Sequence, residues 1–377
     1  MQLTLHVTNQ CNLNCKYCFV ARGPESMSLD VAKAAVRLGM QNTKTTGILF
    51  YGGEPLIERQ LIFDVVAFTQ DIKKETGHHF YYKMTTNGVL LDEEFLKFAQ
   101  KYNLTIGFSH DGIAQDDCRL FHDGKSSASV LEEKIPLLLK YQPYAIGMSV
   151  IDPTTVHKAA KIVKFLYRQG FKYVTMNMNY DRAAPWTKEH LEILSGEYEK
   201  LAKLYIRFTN AEEKFYLSPF DVKIVSHLKG EKYHTDRREM SRNQPSIAPD
   251  GKIYIASIHL DHPTFQIGDV FTGIDKKRQD FLFKKGSKLP EPCSECAIAP
   301  RCNYAYGNMC EVDTQNGRQI VSDISPMQCA HEQIITPIAD RTAEKLFEQK
   351  SAMFIHKHYN EMYPVVSLVE DMIKVRS

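Results

Sequence analysis

The sequence predicts an α/β fold whose parallel sheet forms a partial (β/α)6 barrel of the TIM type, followed by a smaller cysteine-rich domain. Three observations lead there. Strand-patterned and helix-patterned runs alternate through six βα units from residue 1 to about 210, which implies parallel strands with right-handed crossovers. Six units are too few to close an eight-stranded barrel, so one side is expected to stay open. Past about residue 215 the alternation stops and cysteines gather between 293 and 329.

The elements follow in order. "LTLHVT" sets Leu3, Leu5 and Val7 on one face and reads as strand 1. "SLDVAKAAVRLGMQN" places Val31, Ala34, Ala35 and Leu38 at helical spacing. "GILFYGG", "FYYKMTT", "LTIGFSHDG", "AIGMSVI" and "KYVTMNMN" are strands 2 to 6. Helices "LIFDVVAFTQDIKK", "DEEFLKFAQKY", "SVLEEKIPLLLKY", "VHKAAKIVKFLYRQG" and "TKEHLEILSGEYEKLAKLYIRF" fill the gaps, and Gly170 is a C-terminal stop for the fourth of these. "SIAPDGKIYIAS" reads as a hairpin turning at Asp250-Gly251. Residues 335–377 read as one or two helices with Pro364 as a break. The expected domains are 1–214, 215–335 and 336–377.

Composition narrows the function classes. A 377-residue chain with 43% hydrophobic and 24% charged residues can bury a large core. The net charge of +2 gives no bulk electrostatic case for nucleic acid. There is no run of apolar residues long enough to span a bilayer, so no membrane partner is expected. "MQLTLHVTNQ" has neither a basic nor an apolar signal region, so a cytoplasmic location is expected, where thiols ligate metals more often than they pair.

Parallel βα folds place their chemistry at the C-terminal ends of the strands. The motifs obey that rule: Cys11, Cys15 and Cys18 follow strand 1, "YGGEP" (51–55) follows strand 2, "TNG" (86–88) ends strand 3, "SHDG" (109–112) ends strand 4 and "NMNYD" (177–181) ends strand 6. All five are expected on one rim. The three cysteines allow two readings. His6 would complete a Cys3His zinc site. Alternatively, three thiolates hold three irons of a [4Fe–4S] cube and leave the fourth open. In "YGGEP", Gly52 and Gly53 let the backbone approach a ligand closely, and Glu54 offers a carboxylate to an amino group. The plainer reading is a glycine turn with a solvated glutamate.

"CNLNCKYC" followed by "YGGEP" resembles the signature of the radical S-adenosylmethionine (SAM) enzymes. The resemblance covers roughly residues 1–210. It implies that Cys11, Cys15 and Cys18 ligate a [4Fe–4S] cluster whose open iron is chelated by the amino and carboxylate groups of SAM. Carried over residue by residue, it makes Tyr17 the aromatic beside the adenine, Gly52 and Gly53 part of the glycine contact to SAM, and Glu54 the partner of the SAM amino group. Ser109 resembles the serine of "SxDG" that contacts SAM, with Asp111 shaping the turn. Arg119 stands where a SAM-binding arginine is sought, at a shorter spacing than usual, and Asn179 or Tyr180 offers a backbone contact to adenine.

The later cysteines resemble the SPASM/twitch-like extension of radical SAM enzymes that modify peptides and proteins. Cys293, Cys296 and Cys302 form a C-x2-C-x5-C run, followed by Cys310 and Cys329. The full extension holds two auxiliary [4Fe–4S] clusters with seven cysteines. Here Ala256 and Tyr306 stand where two of those cysteines belong, and no cysteine lies between 119 and 292. The expectation is one auxiliary [4Fe–4S] cluster held by Cys293, Cys296, Cys302 and Cys329, with Cys310 spare or replacing Cys329. A zinc ribbon fits the same four-cysteine spacing.

The function implied is 5′-deoxyadenosyl-radical attack on a ribosomally made peptide or protein, ending in a thioether or carbon crosslink, or in epimerisation. Oxidation of the sulfatase-maturase kind is disfavoured, because Ser257 stands where that group has its aspartate. Epimerisation needs a hydrogen donor, for which Cys118 and Cys310 are the candidates. The alternative is a radical SAM enzyme acting on a sugar, amino acid or cofactor precursor. Partners implied are an external electron donor of flavodoxin or ferredoxin type and a separate leader-binding protein, since Cys11 follows a single strand.

Overall fold

Strand β1 (Gln2–Thr8) is the hub of the sheet, and every residue from Leu3 to Thr8 is buried. The sequence pattern put only Leu3, Leu5 and Val7 inside. Burial of the alternate residues as well is what a parallel strand covered on both faces requires. The computed structural model describes residues 1–230, 240–303, 309–315, 317–360 and 362–375.

The first half runs through β1, β2 (Leu13–Cys15), α1 (Leu29–Gly39), β3 (Thr45–Gly52), α2 (Arg59–Thr76), β4 (His79–Thr86), α3 (Glu93–Tyr102) and β5 (Leu104–Ser109). It continues with α4 (Gln115–Cys118), β6 (Arg119–Phe121), α5 (Ala128–Tyr141), β7 (Ile146–Ile151), α6 (Ala159–Arg168), β8 (Tyr173–Met178) and α7 (Lys188–Asn210). Local chemistry sets the boundaries. Ser28 and Asp92 cap α1 and α3 by accepting from Val31 and Phe95 amides. Gly77 (φ 72°) ends α2 in the left-handed conformation that glycine adopts without strain.

The second half holds β9 (Tyr216–Leu217), α8 (Ser218–Lys229), α9 (Met240–Asn243), β10 (Ser246–Ile247), β11 (Lys252–Tyr254), β12 (Gln266–Asp269), β13 (Gly273–Ile274) and α10 (Lys276–Gly286). After these come the β14 (Met309–Thr314) and β15 (Gly317–Ser322) hairpin and helices α11 (Pro326–Glu348), α12 (Ala352–Tyr359) and α13 (Tyr363–Lys374).

Among the described residues the main sheet has the order β13-β12-β11-β10-β1-β3-β4-β5-β7-β8-β9. Pairing is parallel from β10 through β9 and antiparallel from β10 out to β13. Its two end strands are not bonded to each other, so the sheet is open. The six expected βα strands are β1, β3, β4, β5, β7 and β8. The sheet does not stop at residue 214: β9 adds beside β8, and the hairpin at Asp250-Gly251 adds beside β1 through Thr4↔Ser246. Likewise residue 335 lies inside α11. That helix starts at 326 because Ser325 and Gln328 form a capping box ahead of Pro326, whose missing amide is no loss at a first turn. Three helices, not one or two, follow from there, and Pro364 opens α13 instead of breaking it.

Helix α11 packs across α7 and α8 and buries His331 between two tyrosines. Tyr180 Oη is 2.9 Å from Nδ1 and Tyr198 Oη 2.5 Å from Nε2. Burial pushes the imidazole down to about 3, with Lys223 adding in the same direction. The folded chain therefore holds His331 neutral, while the unfolded chain protonates it near its usual value of about 6.5. Its stabilising contribution is present above pH 6.5 and is lost as pH falls from there toward 3. Thermal unfolding midpoints are expected to drop between pH 7 and pH 5, and His331→Gln is expected to flatten that drop.

Candidate functional site

Six strand ends surround one cavity of about 790 Å³, lined among others by Cys11, Cys15, Cys18, Gly53, Asn87 and Ser109. The five motifs expected on one rim all contribute to its wall. The loop after β1 is held from both sides. Against β3, Gly53 donates to Thr8 O and Glu54 to Gln10 O, each at 2.8 Å. A Cβ on Gly52 would sit 2.3 Å from Thr8 O, and one on Gly53 2.1 Å from Gln10 O. These glycines therefore first serve backbone-to-backbone packing that seats the cysteine loop, a use the sequence reading assigned to a ligand. On its other side the loop pairs as β2 with β6, setting Cys15 opposite Arg119.

Cys11 and Cys15 are half-buried and Cys18 is exposed. Burial pushes the Cys11 thiol up to about 11 and the Cys15 thiol up as well; neighbouring thiols add to it, while Arg119 pulls Cys15 back. Among the described residues no three His, Cys, Asp or Glu side chains are arranged to hold a single metal ion. Tetrahedral zinc with its bonds of about 2.3 Å draws sulfurs to within about 4 Å of each other. A cube puts each thiolate on a different iron and accepts a wider spread. His6 does not complete a zinc set either: it is fully buried, its Nε2 is 3.0 Å from Ser257 Oγ, and it does not line the cavity.

Glu54 is fully buried behind the wall, not solvated. Its carboxylate accepts from Leu56 N (3.0 Å), Thr86 Oγ1 (2.6 Å) and Asn87 N (2.7 Å). Burial pushes it up to about 7, and the three donors pull against that. Asn87 in turn reaches Asn12 Oδ1 at 2.6 Å and lies 3.7 Å from Cys11 Sγ. Ser149, on β7, lines the cavity and its buried hydroxyl has no partner among the described residues, which suits a polar ligand there.

Tyr17, Asp111 and Arg119 form one unit. Tyr17 Oη donates to Asp111, Arg119 Nε donates to the same oxygen at 2.9 Å, and the guanidinium lies 5.2 Å from the Tyr17 ring centroid. The other Asp111 oxygen accepts from Val150 N at 2.9 Å, tying the unit to β7. Tyr17, Ser109 and Arg119 all line the cavity. Asn179 and Tyr180 line it too, but the Asn179 amide donates to Ile151 O and its carbonyl accepts from Trp186 Nε1. Asn87 and Ser149 were missed as site residues. "TNG" flagged the first as a strand end; nothing local flags a serine inside a strand.

A second cavity of about 360 Å³ gathers Cys293, Cys296 and Cys329. Cys302 and Cys310 do not line it. Cys310 lines the first cavity instead, and Asp323, paired with Arg182 at 2.7 Å, lines both. Burial raises the Cys293 and Cys329 thiols, and each is raised further by neighbouring cysteines. Cys118 is withdrawn as a hydrogen donor: it is buried and lines neither cavity. It behaves as a small hydrophobe. Tyr306 lies outside the described residues.

The strand ends of a mostly parallel α/β sheet thus bring three free cysteines to one cavity in front of a buried acid, the arrangement of an enzyme's active site. The Radical SAM superfamily model matches residues 5–166, so this stretch is a radical SAM domain; enzymes of that superfamily use a [4Fe–4S] cluster and SAM. The cysteine-type anaerobic sulfatase-maturating enzyme of Clostridium novyi is 26% identical over 179 residues, 44% of this chain and 48% of that enzyme. The serine-type anaerobic sulfatase-maturating enzyme of Bacteroides thetaiotaomicron is 22% identical over 382 residues, 92% of each chain. The solved structure of native anSMEcpe with bound AdoMet and Cp18Cys peptide superposes with a TM-score of 0.75 at 18% identity, covering 92% of this chain and 99% of that one. No described helix is long and apolar enough to cross a membrane.

Proposed function

We propose that this chain modifies a ribosomally made peptide or protein, with Cys11, Cys15 and Cys18 holding the cluster that activates SAM. The convergence of three cysteines and five further strand ends on one cavity carries this reading. When bound, the reduced cluster and SAM supply a 5′-deoxyadenosyl radical that takes a hydrogen atom from substrate. Glu54 and Asn87 back the cysteine loop, Tyr17 and Arg119 offer a flat, cationic wall, and Ser109 and Ser149 offer hydroxyls. Cys293, Cys296 and Cys329, with Cys302 as fourth ligand, hold one auxiliary cluster behind Asp323. The near full-length relative named a sulfatase-maturating enzyme supports a protein substrate. A second cavity lined by Cys293, Cys296 and Cys329 beside an open, mostly parallel sheet agrees with it.

Where the reaction is an epimerisation, Cys310 is the hydrogen donor. Burial raises its thiol, so it keeps its hydrogen at neutral pH, and it faces the cavity. Donation to a substrate carbon radical forms the new C–H bond and leaves a sulfur radical. One electron from a flavodoxin- or ferredoxin-type donor and one proton restore the thiol. Cys310→Ala is expected to keep the full iron content and 5′-deoxyadenosine formation while peptide turnover falls to background. Unchanged turnover in that variant ends its candidacy. The reaction type is read by anaerobic incubation with SAM, reductant and a candidate peptide, followed by mass spectrometry. Loss of two hydrogens means a crosslink or oxidation; incorporation of one solvent deuterium without other change means epimerisation. A product found only with a sugar, amino acid or cofactor precursor overturns the peptide reading.

A further inference from the structure

Cys302 is the one expected auxiliary ligand that the second cavity does not collect. Its two flanking peptide groups are nevertheless fixed. Lys223 Nζ on α8 donates to Arg301 O at 3.1 Å, immediately before Cys302. Glu332 Oε2 on α11 accepts from Asn303 N at 3.0 Å, immediately after it. Lys223 and Glu332 are themselves ion-paired, and each is only 1% exposed. Arg301 adds a two-pronged grip on Asp340, at 2.8 and 2.5 Å, further along α11.

An ion pair this deep is costly to desolvate and is a weak source of stability when compared with apolar residues of similar size. Its placement suggests another use. Glu332 lies one helical turn after Cys329, and the neighbouring Gln333 reaches Cys296 Sγ at 3.3 Å. One rigid helix thus carries Cys329, a hydrogen bond to Cys296 and the carboxylate that anchors the peptide after Cys302. Buried atoms without partners among the described residues also collect there: Glu332 Oε1, Asn303 Oδ1 and Thr336 Oγ1. Such orphans suit a wall that faces a bound group or ordered water.

We propose that the Lys223–Glu332 pair is a positioning device for the auxiliary cluster. By holding the peptide groups on both sides of Cys302, it fixes the backbone of that residue relative to the helix that carries Cys329. The inference rests on the one-auxiliary-cluster reading above.

The double variant Lys223→Met/Glu332→Leu removes both charges and so leaves no buried charge unpaired. It is expected to fold with a thermal midpoint close to that of the unaltered chain, yet to retain about four of about eight iron atoms after anaerobic reconstitution. The auxiliary cluster's electron paramagnetic resonance signal should disappear, while SAM cleavage to 5′-deoxyadenosine persists. Full iron with an unchanged spectrum and unchanged auxiliary potential overturns the proposal. Should the double variant not fold, Asn303→Pro deletes the amide bonded to Glu332, and Asn303→Ala, which keeps that amide, controls for loss of the side chain. The extended Cys302 backbone (φ −71°, ψ 130°) is compatible with a following proline. That variant is expected to lose its auxiliary iron at about 10- to 100-fold lower chelator concentration, and unchanged resistance overturns the proposal. An unaltered chain that holds only about four iron atoms overturns the auxiliary-cluster reading itself, and the proposal with it.

Discussion

Cys15→Ala is expected to abolish 5′-deoxyadenosine formation and to remove about four iron atoms per chain, the content of one cube. Cys15 is the middle of the three cysteines, and its backbone is pinned opposite Arg119 in the β2–β6 ladder. Neither Cys118 nor His6 stands ready to replace it: Cys118 on the adjoining strand connection is buried and lines neither cavity, and His6 is bound to Ser257. A cube deprived of one of three protein thiolates has two irons without protein ligands and is lost to solvent or chelator. The fold should survive, because Cys15 is only half-buried and the strands that seat the loop pack independently of it. Iron analysis with product chromatography checks this, alongside thermal unfolding as the control for folding. Retention of full iron and of SAM cleavage by Cys15→Ala would overturn the assignment of the three cysteines.

The second large effect is expected at Asp111. Asp111→Ala should cost about 3–5 kcal/mol of stability, because it leaves the buried Arg119 guanidinium without its partner. The pair has side-chain exposures of 9% and 1%, so solvent cannot take over. The same carboxylate also holds Tyr17 and the Val150 amide, so its loss releases the end of the cysteine loop from β7. SAM affinity should fall together with the thermal midpoint. Arg119→Met in the Asp111→Ala background removes the stranded charge and should recover part of the stability, but not SAM affinity, since Arg119 lines the cavity. Calorimetric binding and thermal unfolding of the two variants separate these terms. An Asp111→Ala midpoint within a degree or two of the unaltered chain would sink the argument.

The six βα units were legible because helix and strand periodicities survive within single segments. The strand-end rule then located five motifs on one rim before any contact was known. What escaped were elements with too little sequence to carry a period. Two-residue strands such as β9 and β10 exist only because β8 and β1 offer open edges to pair with. The start of α11 was overlooked although "SPMQ" spells a capping box; the long helix appeared to begin later because its hydrophobic positions are spread around it. Gly52 and Gly53 were rightly read as marking a close approach, but what approaches is the carbonyl backbone of the cysteine loop itself.

The spacing of Cys11, Cys15 and Cys18 and the following "YGGEP" were enough, by themselves, to identify the superfamily, because ligands within one short loop are brought together by chain connectivity. Which distant cysteines share a site was not decided by connectivity. That Cys329 joins Cys293 and Cys296, that Cys310 faces the first cavity, and that Cys118 is sealed in the core all follow from how α11 packs on α7 and α8 and how β6 pairs with β2. Such contacts join residues far apart in the chain, and their geometry is set by the burial of whole helix and sheet faces, which no local spacing records.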